Sequence, residues 1–313
     1  MSVYPVWLVG AAYFCFGLIF GSFLNVCIYR LPRGLSVVRP RSACPECHRM
    51  ISAQDNIPVI SWLLLGGRCR HCKVPITPRY AVVEFTCAML FLLCFLRSAL
   101  PVDAIKGCVL CFLLLGLTFT DAETHLLPDA MTYPGLAAGI LLSVFSLVPG
   151  PAAALWPIAF HGAPSPMQLE VQLFLRSLLN ALMGAAVGAG VLYAIAEIYR
   201  AVRKTDGMGF GDLKLMAMVG AFLGPVLTLF VLCTSAIAGG FFGGAVLFSI
   251  YQKRLQRYRP RLGAKAGARS WQAAQTAMRA LEIPFGVFLC TMSLVAWFYG
   301  AGLVRGYLRL LGY

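Results

Sequence analysis

The sequence predicts an all-α polytopic membrane protein of about eight transmembrane helices, with a small cytoplasmic tetracysteine, zinc-binding insert. Three observations carry this. Hydrophobic residues make up 59% of the 313 residues and charged residues only 12%, against about one-quarter charged in a soluble domain. Apolar runs recur at about the 20-residue length that crosses a bilayer core. Two Cys-x-x-Cys pairs share the long polar segment that follows the first run.

The apolar runs cover 7–28, 80–95, 102–120, 130–148, 174–199, 213–223, 226–251 and 284–304. The sixth is short and only Gly224-Pro225 divides it from the seventh, so the two read as separate crossings or as one broken element. Met1-Ser2-Val3-Tyr4-Pro5 has no basic residue before the first run, and no small-residue cleavage site ends it, so that run is expected to stay attached. The expected units are a first transmembrane helix at 1–28, the cytoplasmic insert at 29–79 and a membrane-embedded unit of about seven helices at 80–313. The last contains a basic cytoplasmic loop at 252–282.

Lysine and arginine collect in cytoplasmic loops, and here they fall between Arg30 and Arg79, at Arg200, Arg203 and Lys204, and between Lys253 and Arg279. The predicted topology puts all three groups on one side and leaves Arg97, Lys106 and Arg176 on the other, so both termini are expected outside the cytoplasm. This asymmetry accounts for the net charge of +14; the bilayer is the expected partner, and no nucleic acid. The Pro-rich stretch 150–166 reads as an extracytoplasmic connection. The small residues of 184–190 have the spacing that lets helix backbones approach closely, and read as packing.

Cys44-Pro45-Glu46-Cys47 and Cys69-Arg70-His71-Cys72 match two knuckles that each give two thiolates to one tetrahedral zinc ion. Four sulfurs leave no open coordination position, so the ion is read as structural. Two disulfides are the competing reading, disfavoured in a reducing cytoplasm. His48 and His71 flank the knuckles as possible replacement ligands. Cys108 and Cys111, inside the third run, read as buried hydrophobes.

Asp121 and Asp212 stand where apolar runs meet polar loops on the same predicted side. Ionisable residues at such boundaries are costly and mark function. Two adjacent carboxylates share a proton, so one can activate water while the other polarises a carbonyl. Asp212 opens a helix and has capping as its plain alternative; Asp121 ends one, where a carboxylate is disfavoured. On those helix ends alone, Asp121 is expected to hold the shared proton. Asp129, after Pro128, suits a cap, and Glu84 is read as structural, pairing with Arg79 or another loop arginine.

The chain resembles the type IV prepilin peptidases, bacterial leader peptidases of pilus and type II secretion systems. The resemblance rests on Gly21-Ser22-Phe23-Leu24-Asn25-Val26 with Arg30-Leu31-Pro32, and on the tetracysteine insert with Asn56-Ile57-Pro58. It continues through Arg79-Tyr80 and Glu84, Asp121 with Leu126-Leu127-Pro128-Asp129, Gly207-Met208-Gly209-Phe210-Gly211-Asp212-Leu213-Lys214, and Ile283-Pro284-Phe285-Gly286. Val287 stands where the family often has proline.

The resemblance implies an intramembrane aspartyl protease of the Gly-x-Gly-Asp type in the inner membrane, with Asp121 and Asp212 as its catalytic pair. Its substrates would be type IV prepilins or type II secretion pseudopilins, cut after a glycine at the cytoplasmic face. It further implies N-methylation of the new N-terminus with S-adenosylmethionine. No dinucleotide fingerprint accompanies that activity, so the methyl donor is expected at the insert and adjacent loops, near Asn25 and Glu84. A basic leader would be held by Glu46, Asp55, Glu123 or Asp206. The rival readings are a zinc-ribbon membrane scaffold and a proton-coupled transporter; the first has no need of paired carboxylates, and the second expects them near the bilayer midplane.

Overall fold

The computed structural model describes residues 5–98, 100–145, 166–204, 209–263, 266–279 and 284–310. Apart from two isolated bridges and two short 3-10 turns, regular structure among them is helical. α1 (Val6–Arg30) runs into the insert, which holds the short α2 (Ile60–Leu64). Then come α3 (Arg79–Arg97), α4 (Pro101–Thr124), α5 (Asp129–Phe145), α6 (Pro166–Arg203), α7 (Phe210–Leu223), α8 (Pro225–Leu262), α9 (Ala266–Arg279) and α10 (Phe285–Leu310). The Pro-rich connection lies outside the described residues, apart from Pro166, which opens α6.

Among the described residues, five helices are long and apolar enough to cross a membrane: Val6–Arg33, Arg79–Arg97, Pro101–Thr124, Leu173–Arg203 and Pro225–Pro260. Asp129–Phe145 and Phe285–Gly300 are shorter apolar helices. α7 has 14 residues, about 21 Å at 1.5 Å per residue, less than the ~30 Å core of a bilayer. Length and apolarity alone thus single out five crossings among the described residues and leave the expected count of eight unconfirmed, with α5, α7 and α10 as the shorter apolar helices that would complete it. The sixth and seventh apolar runs are two helices, divided at Gly224 with φ 78°.

α4 is the central helix, and Leu110, Leu114 and Leu117 are fully buried in it. It begins with Pro101 in its first turn, where the missing N–H costs nothing. It ends where His125 turns left-handed (φ 53°) and donates its N–H to the Asp121 carbonyl. The 184–190 seam packs α6 against α7: a Cβ on Gly184 would collide with the Gly220 carbonyl, and one on Gly220 with the Gly184 carbonyl. Only glycine at both positions allows backbones this close, and the helix so gripped carries Asp212.

Lys106, near the start of α4, is 8% exposed inside the bundle, its Nζ donating to Ser143 Oγ at 2.9 Å. The basic segment 252–282 is largely helical among its described residues: α8 continues into it as far as Leu262, and α9 folds back along α8. Ala266, Ser270 and Ala274 are buried there, and Trp271 meets Tyr251 edge-on at 6.0 Å.

Candidate functional site

Asp121 lies one turn before the C-terminus of α4 and is 6% exposed. Its Oδ2 accepts the Val287 N–H at 2.9 Å. That amide belongs to the first turn of α10, whose unpaired N–H groups carry the positive end of a helix dipole. Pro284-Phe285-Gly286 creates the space: a Cβ on Gly286 would lie 2.7 Å from Asp121 Oδ2 and 2.9 Å from its Cγ. Asp121 thus faces the negative pole of α4 and the positive pole of α10 together, so the helix ends do not by themselves place the shared proton on it.

Asp212 is half-buried in the first turn of α7, close enough to feel the Asp121 charge. Cys290 of α10, fully buried, feels both carboxylates. Gly209 holds the N-cap position of α7, so Asp212 is not the capping residue. Leu127 packs beneath the pair: a Cβ on Gly211 would be 3.2 Å from its Cβ, and one on Gly286 would be 3.4 Å from its Cδ1. Thus α4, α7, α10 and the turn before α5 converge on one acidic site.

Neighbouring charges are committed elsewhere. Asp129 receives the Lys214 ammonium at 2.7 and 3.0 Å, so it clasps α5 to α7 while Pro128 supplies the carbonyl that starts α5. Arg79 does not pair with Glu84; it binds both carboxylate oxygens of Glu123, two residues beyond Asp121. Glu84 instead accepts the Val59 N–H at 2.7 Å and a bond from Ser22. Of the expected leader-binding acids, Asp55 is held bidentately by Arg70, Glu123 by Arg79, Glu46 is exposed, and Asp206 lies outside the described residues.

The two knuckles of the insert are local copies of each other. In each, the first Cys carbonyl accepts the N–H of the residue after the second Cys, His48 or Lys73, at φ 54° and 59°. Each is closed by a bridge, Ala43 to Met50 and Arg68 to Pro75. The sulfurs of Cys44, Cys47, Cys69 and Cys72 all lie within 4.8 Å of one another, and those of Cys44 and Cys72 are 3.7 Å apart. Four sulfurs ~2.3 Å from one tetrahedral ion stand about 3.8 Å apart, so the set fits a metal. Backbone N–H groups of Cys72 and His71 lower the Cys69 thiol to about 6. Cys72, though exposed, gains a similar bond from Val74, yet local desolvation and its neighbour sulfurs push it up to about 11. One thiolate forms readily and the next is opposed, a conflict that a bound cation relieves.

Sequence reasoning gave no role to Gly286 and the Val287 amide, to Leu127, or to Lys214. The first three sit in or beside quoted motifs, Pro-Phe-Gly and Leu-Leu-Pro; Lys214 two residues after Asp212 was the available signal for a clasp.

Two family models match the chain: the bacterial peptidase A24 N-terminal domain over residues 15–98 and the type IV leader peptidase family over 108–244. The prepilin leader peptidase/N-methyltransferase of Aeromonas hydrophila is 31% identical over 96% of this chain and 94% of its own length. That of Pseudomonas putida is 30% identical over 95% and 93%, and that of Klebsiella pneumoniae 36% identical over 71% and 87%. No solved structure matches significantly. Two consecutive family models and near full-length identity to these enzymes lead to one conclusion: the chain belongs to the prepilin leader peptidase/N-methyltransferase family.

Proposed function

We propose that this protein removes the short basic leader of type IV prepilins or type II secretion pseudopilins with Asp121 and Asp212, then methylates the new N-terminus. The observation that carries the peptidase half is the buried Asp121 carboxylate, held by the α10 amide and facing the charge of Asp212. Two carboxylates so placed share one proton. The ionised member takes a proton from water, which attacks the scissile carbonyl; the protonated member donates to that carbonyl oxygen and later, through proton return, to the leaving amine. No step needs a metal or a covalent intermediate.

The protein is read as lying in the inner membrane with both termini outside the cytoplasm and with α1, α3 to α8 and α10 as its eight membrane-embedded helices. The short α7 would begin at the cytoplasmic interface with its acidic first turn. Cys44, Cys47, Cys69 and Cys72 would hold a structural zinc ion that folds the insert. S-adenosylmethionine, when bound, supplies the methyl group, and the family name carried by the relatives is what supports that half.

Leader cleavage of a prepilin in membranes, read as a mobility shift, tests the peptidase. Native protein should cut, and Asp121→Asn or Asp212→Asn should abolish cutting while the protein remains inserted. Cutting by either variant would remove that residue from the pair.

A further inference from the structure

We propose that the cleft between the cytoplasmic end of α1 and the insert binds S-adenosylmethionine, and that Glu84, about one helical turn away, takes the proton from the pilin amine before it is methylated. This rests on the reading that the chain is an N-methyltransferase, and it assigns that activity a place apart from the aspartates.

The cleft has a volume of about 340 Å³ and polar and apolar walls; Val26, Val38, Arg41, Ile51 and Asn56 are among the residues lining it. That volume is within the range of small-molecule sites. Its chemistry suits the donor: valine and isoleucine for the faces of an adenine, the Asn56 amide for its edge, and the Arg41 guanidinium for the amino-acid carboxylate. Arg30, also in the wall, is committed to the Ser36 and Pro40 carbonyls, which leaves Arg41 as the carboxylate partner.

Helical spacing connects the cleft to Glu84. Ser22 and Val26 are four residues apart, so they share a face of α1. Ser22 bonds Glu84, while Val26 lines the cleft. Asn25 lies between them, 3% exposed, with its Nδ2 on the Tyr80 carbonyl and its Oδ1 without any partner. A buried acceptor left unpaired costs stability, and this one lies one turn along α1 from Ser22, the residue that bonds the Glu84 carboxylate, so the stretch offers acceptors to a donor-rich cationic amine.

The Val59 N–H now occupies part of the Glu84 carboxylate. Val59 has φ 61°, an outlier for a β-branched residue. Its amide holds the place of an incoming N–H donor, and its strain favours giving that place up. The step then balances. Glu84 removes one proton from the pilin ammonium; the freed lone pair attacks the methyl carbon; the carbon–sulfur bond breaks with its electrons going to sulfur; the product is an N-methylammonium and a neutral thioether.

The test uses full-length protein in lipid nanodiscs, with S-adenosylmethionine binding measured alone, methyl transfer to mature pilin, and prepilin cleavage. Native protein is scored first, and absence of methyl transfer would remove the underlying reading together with this one. Given native transfer, Glu84→Gln keeps an acceptor for Val59 and should bind the donor within about threefold of native. Its transfer rate should fall at least ~100-fold and recover in part between pH 7 and 9, as solvent deprotonates an α-amino group of pKa ~8. Arg41→Gln should weaken donor binding about tenfold. Cleavage should persist in both. Native-like methylation by Glu84→Gln, loss of cleavage along with methylation, or unchanged donor binding by Arg41→Gln would each overturn the assignment; Glu84→Asp, retaining the carboxylate, should keep measurable transfer.

Discussion

The Val287 backbone amide donates a 2.9 Å hydrogen bond to Oδ2 of Asp121, across 166 residues of sequence. One carboxylate is thereby fixed by the N-terminus of α10 while the other arrives in the first turn of α7. The geometry of the pair thus depends on helices that meet only after the whole chain has folded.

Gly286 follows from that bond as the most sensitive neighbour of the site. A Cβ there would stand 2.7 Å from Oδ2, and the carboxylate would have to move by several tenths of an ångström. Misplacement of a reacting group by about 1 Å costs on the order of 100-fold. Gly286→Ala should cut prepilin at about 1% of the native rate while inserting normally and keeping its metal content.

The two aspartates should also fail as one unit. When residues act together, removing the second costs little beyond the first. Asp121→Asn/Asp212→Asn should therefore cleave no more slowly than either single variant, measured with enough enzyme to quantify residual turnover. Losses that multiply would mean independent roles.

Zinc should be present at one ion per chain, by elemental analysis of the purified protein. Each of Cys44→Ser, Cys47→Ser, Cys69→Ser and Cys72→Ser should lower that content markedly, because a closed four-sulfur site has no spare ligand. Acid should release the ion: thiolates are the ligands, so each sulfur protonated as pH falls opposes binding. Metal retained after loss of any one cysteine would require His48 or His71 as a replacement.

The residues gathered at these two places stand out in the sequence for physical reasons. Asp121 and Asp212 announce themselves because carboxylates at the ends of apolar runs are costly, and the four cysteines because their spacing is that of two knuckles able to share one ion. The partners of those residues were harder. Glu123, not Glu84, takes Arg79, and a contact between α3 and the end of α4 has no signature in either segment. The partner of Lys106 was equally hidden, because hydropathy sees composition and not the Ser143 hydroxyl on another helix. The sequence left α7 open for a related reason: a short apolar run flanked by Gly224-Pro225 reads alike as a crossing or as part of one.

That same Lys106 yields the last expectation. Its ammonium donates to Ser143 Oγ, and that hydroxyl lies in hydrogen-bond reach of the Gly139 and Ala221 carbonyls. The Asp103 charge is also felt there. One polar chain therefore ties α4 to α5 and α7 inside the bundle. Replacing a buried charge by an apolar group of similar shape is often neutral or stabilising, whereas deleting one partner strands the other. Lys106→Met should keep the thermal midpoint in detergent within a few degrees of native, or raise it. Ser143→Ala leaves the ammonium without its hydroxyl and should lower stability by about 1–3 kcal/mol, seen as a lower midpoint that Lys106→Met/Ser143→Ala restores. An equal loss in both single variants would show that the ammonium itself, through Asp103, holds the helices together.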